Sequence, residues 1–173
     1  MRLETSRLPI RESVLADWPA YRRIWSDFAT SPYAQYDAPF ETDAVKGPAL
    51  LRTLLAGGRF FSVLLRESGE MIGYVCFHGE GETLDLGYCF HSASQGMGYA
   101  REACQALMAT MARQGAARFT AGTALDNLPS VRLLRALGFR QTGVEQVSFY
   151  RDARGGKIWF TGGIFERAAG EGQ

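Results

Sequence analysis

The stretch that most constrains this chain runs from residue 84 to residue 103. It begins with Leu84-Asp85-Leu86-Gly87-Tyr88-Cys89-Phe90-His91, which reads as a strand because leucine and aromatic side chains fill it. Ser92-Ala93-Ser94 and Gln95-Gly96-Met97-Gly98 follow. Beyond them Cys104, Leu107, Met108 and Met111 recur at helical spacing. A strand that runs through a glycine turn into a helix leaves a row of backbone N–H groups without intrahelical partners, at the positive end of the helix dipole. With no side chain at Gly96 or Gly98, a phosphate can approach that backbone. The stretch is therefore expected to bind a phosphate-bearing ligand.

The flanking segments must fold around this unit. Leu8, Ile10 and Glu12 share one face of a first strand. Asp17 stands at an N-cap with Trp18 and Pro19 in the first turn, and Tyr21, Ile24, Trp25 and Phe28 follow at i, i+3, i+4, i+7. Residues 29–41 form a loop rich in aromatic side chains, Tyr33, Tyr36 and Phe40. A second helix is predicted from 42 or 43 to 56, buried through Leu50, Leu51, Leu54 and Leu55, with Gly47-Pro48 kinking or delaying it. Strands at 60–66 and 71–78 are separated by turn residues. A short strand at 118–122 precedes a helix capped by Asp126-Asn127 and ended by Gly138, and a hairpin occupies 139–165. The order β-α-α-β-β-β-α-β-α-β-β predicts a mixed α/β domain over 1–166, with a mostly antiparallel sheet of about seven strands and helices on both faces. A short polar tail, 167–173, is expected to fray.

Composition narrows the function. The 173 residues suit one domain, and a net charge of +1 provides no field for nucleic acid or an anionic membrane. Cys76, Cys89 and Cys104 lie in apolar patterns without CxxC spacing, which argues for buried thiols in a reducing cytoplasm and against a disulfide framework or a metal site. The first residues, Met1 to Arg7, contain no apolar signal segment, so a cytoplasmic location is expected.

A G-x-G-x-x-G dinucleotide fingerprint would need glycine where Arg101 stands, and no Gly-Lys-Ser/Thr phosphate loop is present. The register that fits is Gln95-x-x-Gly98-x-Ala100. It resembles the pyrophosphate signature of the Gcn5-related N-acetyltransferase family. Asp85-Leu86-Gly87-Tyr88, Gly98-Tyr99-Ala100-x-Glu102-Ala103, Asn127-x-x-Ser130 and Leu137-Gly138-Phe139 resemble further segments of its ribosomal-protein alanine and serine acetyltransferase branch. The resemblance implies a sheet splayed in the middle, with acetyl-CoA lying between strand 84–91 and strand 118–122. It implies cofactor contacts from Cys89, Phe90 and His91, from Gln95, Gly96, Met97, Gly98, Tyr99, Ala100 and Arg101, and from Asn127 and Ser130. Gly87 is expected at a bulge that turns the strand outward.

The implied reaction is direct acyl transfer to a primary amine, either a protein N-terminus or a small molecule. An aliphatic ammonium titrates near ~10 by analogy with lysine, so a base or a water chain must take its proton. The resemblance points to Asp85 as that base, and an exposed or salt-bridged strand aspartate is the equal alternative. Some family branches place a tyrosine acid seven residues after the asparagine. Leu134 stands there, so that acid is not carried over. Tyr33 and Tyr36 are the candidate acceptor contacts. Two other readings stay open: an acyl-CoA-binding sensor or scaffold without turnover, and a nucleotide-binding protein. The exposed edge of the hairpin offers a surface for a homodimer.

Overall fold

The computed structural model describes residues 1–170; the end of the expected tail, 171–173, lies outside the described residues. Eight strands and four α-helices follow one another: β1 (Arg2–Glu4), β2 (Pro9–Glu12), α1 (Trp18–Ala29), α2 (Lys46–Gly57), β3 (Arg59–Leu64), β4 (Met71–His78), β5 (Thr83–Phe90), α3 (Tyr99–Arg113), β6 (Arg118–Ala124), α4 (Leu128–Ala136), β7 (Arg140–Arg151) and β8 (Lys157–Ala168). The strands form one sheet in the order β1-β2-β3-β4-β5-β6-β8-β7. All neighbours are antiparallel except β5 and β6.

Alternation along β5 sends its side chains into two cores. Leu84, Leu86 and Phe90 join Phe77, Leu107, Met111, Phe119 and Leu134 on the face covered by α3 and α4. Cys89 joins Tyr21, Ile24, Trp25, Leu51, Tyr74 and Cys76 on the face covered by α1 and α2. Each large apolar side chain buried this way contributes about 1.5–3 kcal/mol. The second core is mainly aromatic. Trp25 stacks on Phe40 at 5.0 Å between centroids and donates from Nε1 to the Tyr74 hydroxyl at 3.1 Å. Polar atoms buried in such surroundings must find partners, and this pair supplies one.

Several sequence expectations change. The extra strand, β1, is a three-residue segment paired Leu3 to Ile10, too short to show a period. The second helix starts at Lys46, because Pro48 fits only its first turn. Asp17 occupies the N-cap of α1 without capping it. Its carboxylate instead takes two bonds from Arg11, at 2.8 and 2.6 Å, and one each from the Val14 N–H and the Ser62 hydroxyl. Burial opposes its ionisation, but those donors outweigh burial and hold its pKa below the ordinary value. The expected fraying from Arg167 is displaced: Arg167 pairs with Phe119, β8 runs to Ala168, and the Ala169 N–H donates to the Ala117 carbonyl. The three cysteines are buried and free, as expected. Among the described residues no helix is long and apolar enough to cross a membrane.

Candidate active site

The parallel ladder between β5 and β6 has only three rungs, Thr83 to Arg118, Leu84 to Phe119 and Asp85 to Thr120. Beyond them each strand keeps its outer partner. β5 stays paired with β4 as far as Gly73 to Phe90, and β6 stays paired with β8 as far as Ala124 to Gly162. The two strands therefore diverge from residue 86 on one side and 121 on the other. The expected bulge at Gly87 is corrected here: the β4–β5 register runs through it without a shift, with Gly87 opposite Cys76. What requires glycine is proximity, because a Cβ at this position would lie 2.8 Å from the Cys76 sulfur.

The divergence opens a cleft of about 770 Å³ lined by residues 86–90 of β5 and 121–124 of β6. At one end stands the glycine turn. Gly96 and Gly98 have φ of +76° and +78°, a conformation that costs side-chain-bearing residues roughly 1–2 kcal/mol, and Gly98 is the N-cap of α3. A Cβ at Gly96 would meet nothing, so the backbone there is open. Gln95, Tyr99, Ala100 and Arg101 complete this end. The Gln95 amide donates to the Phe90 carbonyl at 3.2 Å and ties the turn to the end of β5. The residues present fit a pyrophosphate: free helix-start N–H groups, two glycines and one guanidinium.

The turn is fastened from outside by residues that local sequence patterns do not reveal. Glu102 accepts from Arg7 Nε at 2.7 Å and from the Thr5 hydroxyl at 2.5 Å. Arg7 Nη1 donates to the Met97 carbonyl at 2.9 Å, and its guanidinium lies 4.5 Å from the centre of the Tyr99 ring. On the other side Asp27, at the end of α1, accepts from the Ser92 N–H at 2.7 Å and the Ser92 hydroxyl at 2.6 Å. Burial opposes the Asp27 charge, yet the two Ser92 donors and the nearby His91 and Arg23 outweigh it and lower its pKa. Each anchor joins residues more than sixty positions apart, so no motif announces it.

The expected contacts divide. Cys89, Phe90, Gln95, Gly96, Gly98, Tyr99, Ala100, Arg101, Asn127 and Ser130 line the cleft, and so do Tyr33 and Tyr36. Met97 and His91 are not in the lining: Met97 turns its side chain to solvent, and His91 Nδ1 accepts from the Ala93 N–H. Asn127 caps α4 by accepting from the Ser130 N–H at 3.3 Å. The Ser130 hydroxyl bonds the Tyr88 hydroxyl at 2.7 Å, a bridge from β5 to α4 that the sequence did not suggest. Asp85 is exposed on the last rung, accepts from the Thr120 hydroxyl at 2.8 Å, and lies outside the lining. Leu134 is fully buried, in keeping with its place in the core.

The far end of the cleft is walled by Tyr33, Tyr36, Phe149 and Phe160. The loop between α1 and α2 is held over it by the β7–β8 hairpin. The Tyr150 hydroxyl donates to the Ala34 carbonyl at 3.3 Å, and Tyr36 meets Phe160 edge-on at 5.2 Å.

A sheet parted between two parallel strands, with a glycine turn and a helix start at its mouth, is the architecture of an N-acetyltransferase. The family described as the acetyltransferase (GNAT) domain matches residues 7–140, and the chain belongs to that family. It is similar to the uncharacterized N-acetyltransferase YnaD of Bacillus subtilis, 31% identical over 147 residues, covering 83% of this chain and 85% of the relative. The acetyltransferase of Salmonella typhimurium that modifies the N-terminal serine of ribosomal protein L7/L12 shares the fold with a TM-score of 0.81, at 18% identity and over 95% of this chain and 96% of that one. The L7/L12 acetyltransferase RimL in complex with coenzyme A does so with a TM-score of 0.75, at 20% identity and over 97% and 98%. The chain is thus an acyltransferase of the GNAT type, with acetyl-CoA as donor and an amine nitrogen as acceptor.

Proposed function

We propose that the chain transfers an acetyl group in one step from acetyl-CoA to a primary amine, a peptide N-terminus or a small molecule, in the cytoplasm. The observation that carries this reading is the three-rung ladder opposite the glycine turn: the strands part where a thioester arm would enter, and the open helix start lies where its pyrophosphate would rest. Backbone of residues 87–90 is then available to pair with the arm and to polarise the thioester carbonyl. Gly96, Gly98, Tyr99, Ala100 and Arg101 would hold the pyrophosphate, with Asn127 and Ser130 beside the arm. The amine gives up a proton and forms the N–C bond. The C–S bond then breaks, and the electron pair leaves with sulfur, whose thiol is acidic enough (pKa about 8.5) to leave without strong acid help. Tyr33 and Tyr36 form part of the acceptor wall.

Thiol release from acetyl-CoA, followed with a panel of primary amines and short peptides, tests the reading. Release that depends on an amine supports it. Stabilisation by acetyl-CoA without release from any acceptor would instead favour a binding module. Asp85→Asn in the same assay examines the proton relay implied by the resemblance: a fall in kcat at constant acetyl-CoA KM supports that role, and an unchanged kcat removes it.

A further inference from the structure

The cleft lining has four charged side chains, Asp27, Asp37, Arg101 and Glu145. Among the described residues the one cation of the lining, Arg101, stands at the glycine turn, and no lysine, arginine or histidine lines the rest. Asp27 is committed to Ser92. Asp37 is different. It follows Tyr36 in the loop that roofs the acceptor end, and the only hydrogen bond of its carboxylate among the described residues is Oδ1 accepting from the N–H of the next residue, Ala38, at 2.7 Å. Asp37 lines the same cleft as Gly87 and Cys89 of β5 and as the aromatic wall of Tyr33, Tyr36, Phe149 and Phe160. Asp37 keeps much of its surface open, and the desolvation it does meet raises its pKa above the ordinary value.

We infer that Asp37 receives the ammonium group of the acceptor, and that the acceptor is an amine with an apolar or aromatic body and no carboxylate beside its nitrogen. The inference rests on the acetyl-transfer reading and names the acceptor side of the same site. Four aromatic rings accommodate an apolar body. A free α-amino acid would bring its carboxylate next to Asp37, with no cation nearby to meet it. In the reaction the ammonium passes one proton to the Asp37 carboxylate, and the freed lone pair attacks the thioester carbonyl carbon. The second nitrogen proton leaves to water as the C–S bond breaks, and Asp37 returns its proton to the departing thiolate. The net products are the amide, the thiol of coenzyme A and one released proton.

The experiment compares 2-phenylethylamine, phenylalaninamide and phenylalanine, which share one body, on wild type, Asp37→Asn and Asp37→Glu. We expect turnover with the first two and at least about tenfold lower kcat/KM with phenylalanine. Asp37→Asn lowers kcat/KM for the amines by about tenfold or more while leaving the acetyl-CoA dissociation constant unchanged, and Asp37→Glu restores part of the loss. A second readout needs no turnover: with coenzyme A present, 2-phenylethylamine raises the melting temperature of wild type and not of Asp37→Asn. Equal use of phenylalanine, or an unchanged kcat/KM in Asp37→Asn, overturns the inference while leaving acetyl transfer standing. Absence of thiol release with every amine, despite stabilisation by acetyl-CoA, overturns both.

Discussion

The two ends of the cleft are held by different forces. The glycine-turn end is fixed by directional bonds: Arg7, Thr5 and Glu102 on one side, Asp27 and Ser92 on the other, with Gln95 reaching back to Phe90. The other end is fixed by the Tyr36–Phe160 ring contact between the α1–α2 loop and the hairpin, the Phe149–Phe160 contact within the hairpin, and the Tyr150 hydroxyl bond to Ala34. Hydrogen bonds to charged groups fix atoms in place, whereas ring packing tolerates rearrangement. On the proposed reading, the first end suits a constant ligand, and the second can change its acceptor through a few side chains in a loop and a hairpin.

This contrast can be broken most severely at the turn. Gly96→Asp costs roughly 1–2 kcal/mol of backbone strain at its φ of +76°, but its side chain meets open space and sets a carboxylate where the pyrophosphate is proposed to rest. Calorimetric titration should show acetyl-CoA affinity falling by about a hundredfold, with the amine KM little changed. Arg7→Ala acts one layer out. It frees the Met97 carbonyl and leaves Glu102 without its cation, so the acetyl-CoA KM should rise about tenfold and thermal unfolding should report a loss of about 1–2 kcal/mol. On the acceptor side Phe160→Ala removes the ring against Tyr36. The amine KM should rise about fivefold in steady-state kinetics, with acetyl-CoA binding unaffected.

The smallest kinetic effect is expected at Asp17, beneath the acceptor-side core. Its folded pKa is lowered, so its ionised form stabilises the fold above the ordinary value of 3.8, and that stability is lost as pH falls through the lowered folded value. Asp17→Asn should cost about 1–2 kcal/mol at neutral pH by denaturant unfolding, and the gap from wild type should close on acidification. Both KM values should stay as they are. A change in acetyl-CoA KM here would mean that the two ends are mechanically coupled.

The same division separates what the sequence revealed from what it did not. The glycine turn, the start of α3, the Asn127 cap and the αL residue Gly138 depend on backbone conformation within a few residues, so their residue types are diagnostic. The succession of strands and helices along the chain followed from short apolar runs with clear turns between them. The Arg7–Glu102 clamp could not be read, because it joins positions 95 apart through an exposed arginine and a half-buried glutamate that carry no pattern. Asp17 stands at the expected N-cap, but for a related reason its side chain does not cap: Arg11 of β2 and Ser62 of β3 take its carboxylate. Gly87 misled because a glycine inside a strand marks either a bulge or a close neighbour, and the neighbour, the Cys76 sulfur, is known only once β4 is paired.

Hydrogen exchange of the backbone, measured with and without coenzyme A, tests the central claim that the donor occupies the gap between β5 and β6. Protection should concentrate on residues 87–91 and 96–101, while the acceptor-side loop and the β7–β8 hairpin change little until an amine is added. Protection confined to the loop and the hairpin, with the strand and the glycine turn unchanged, would contradict it.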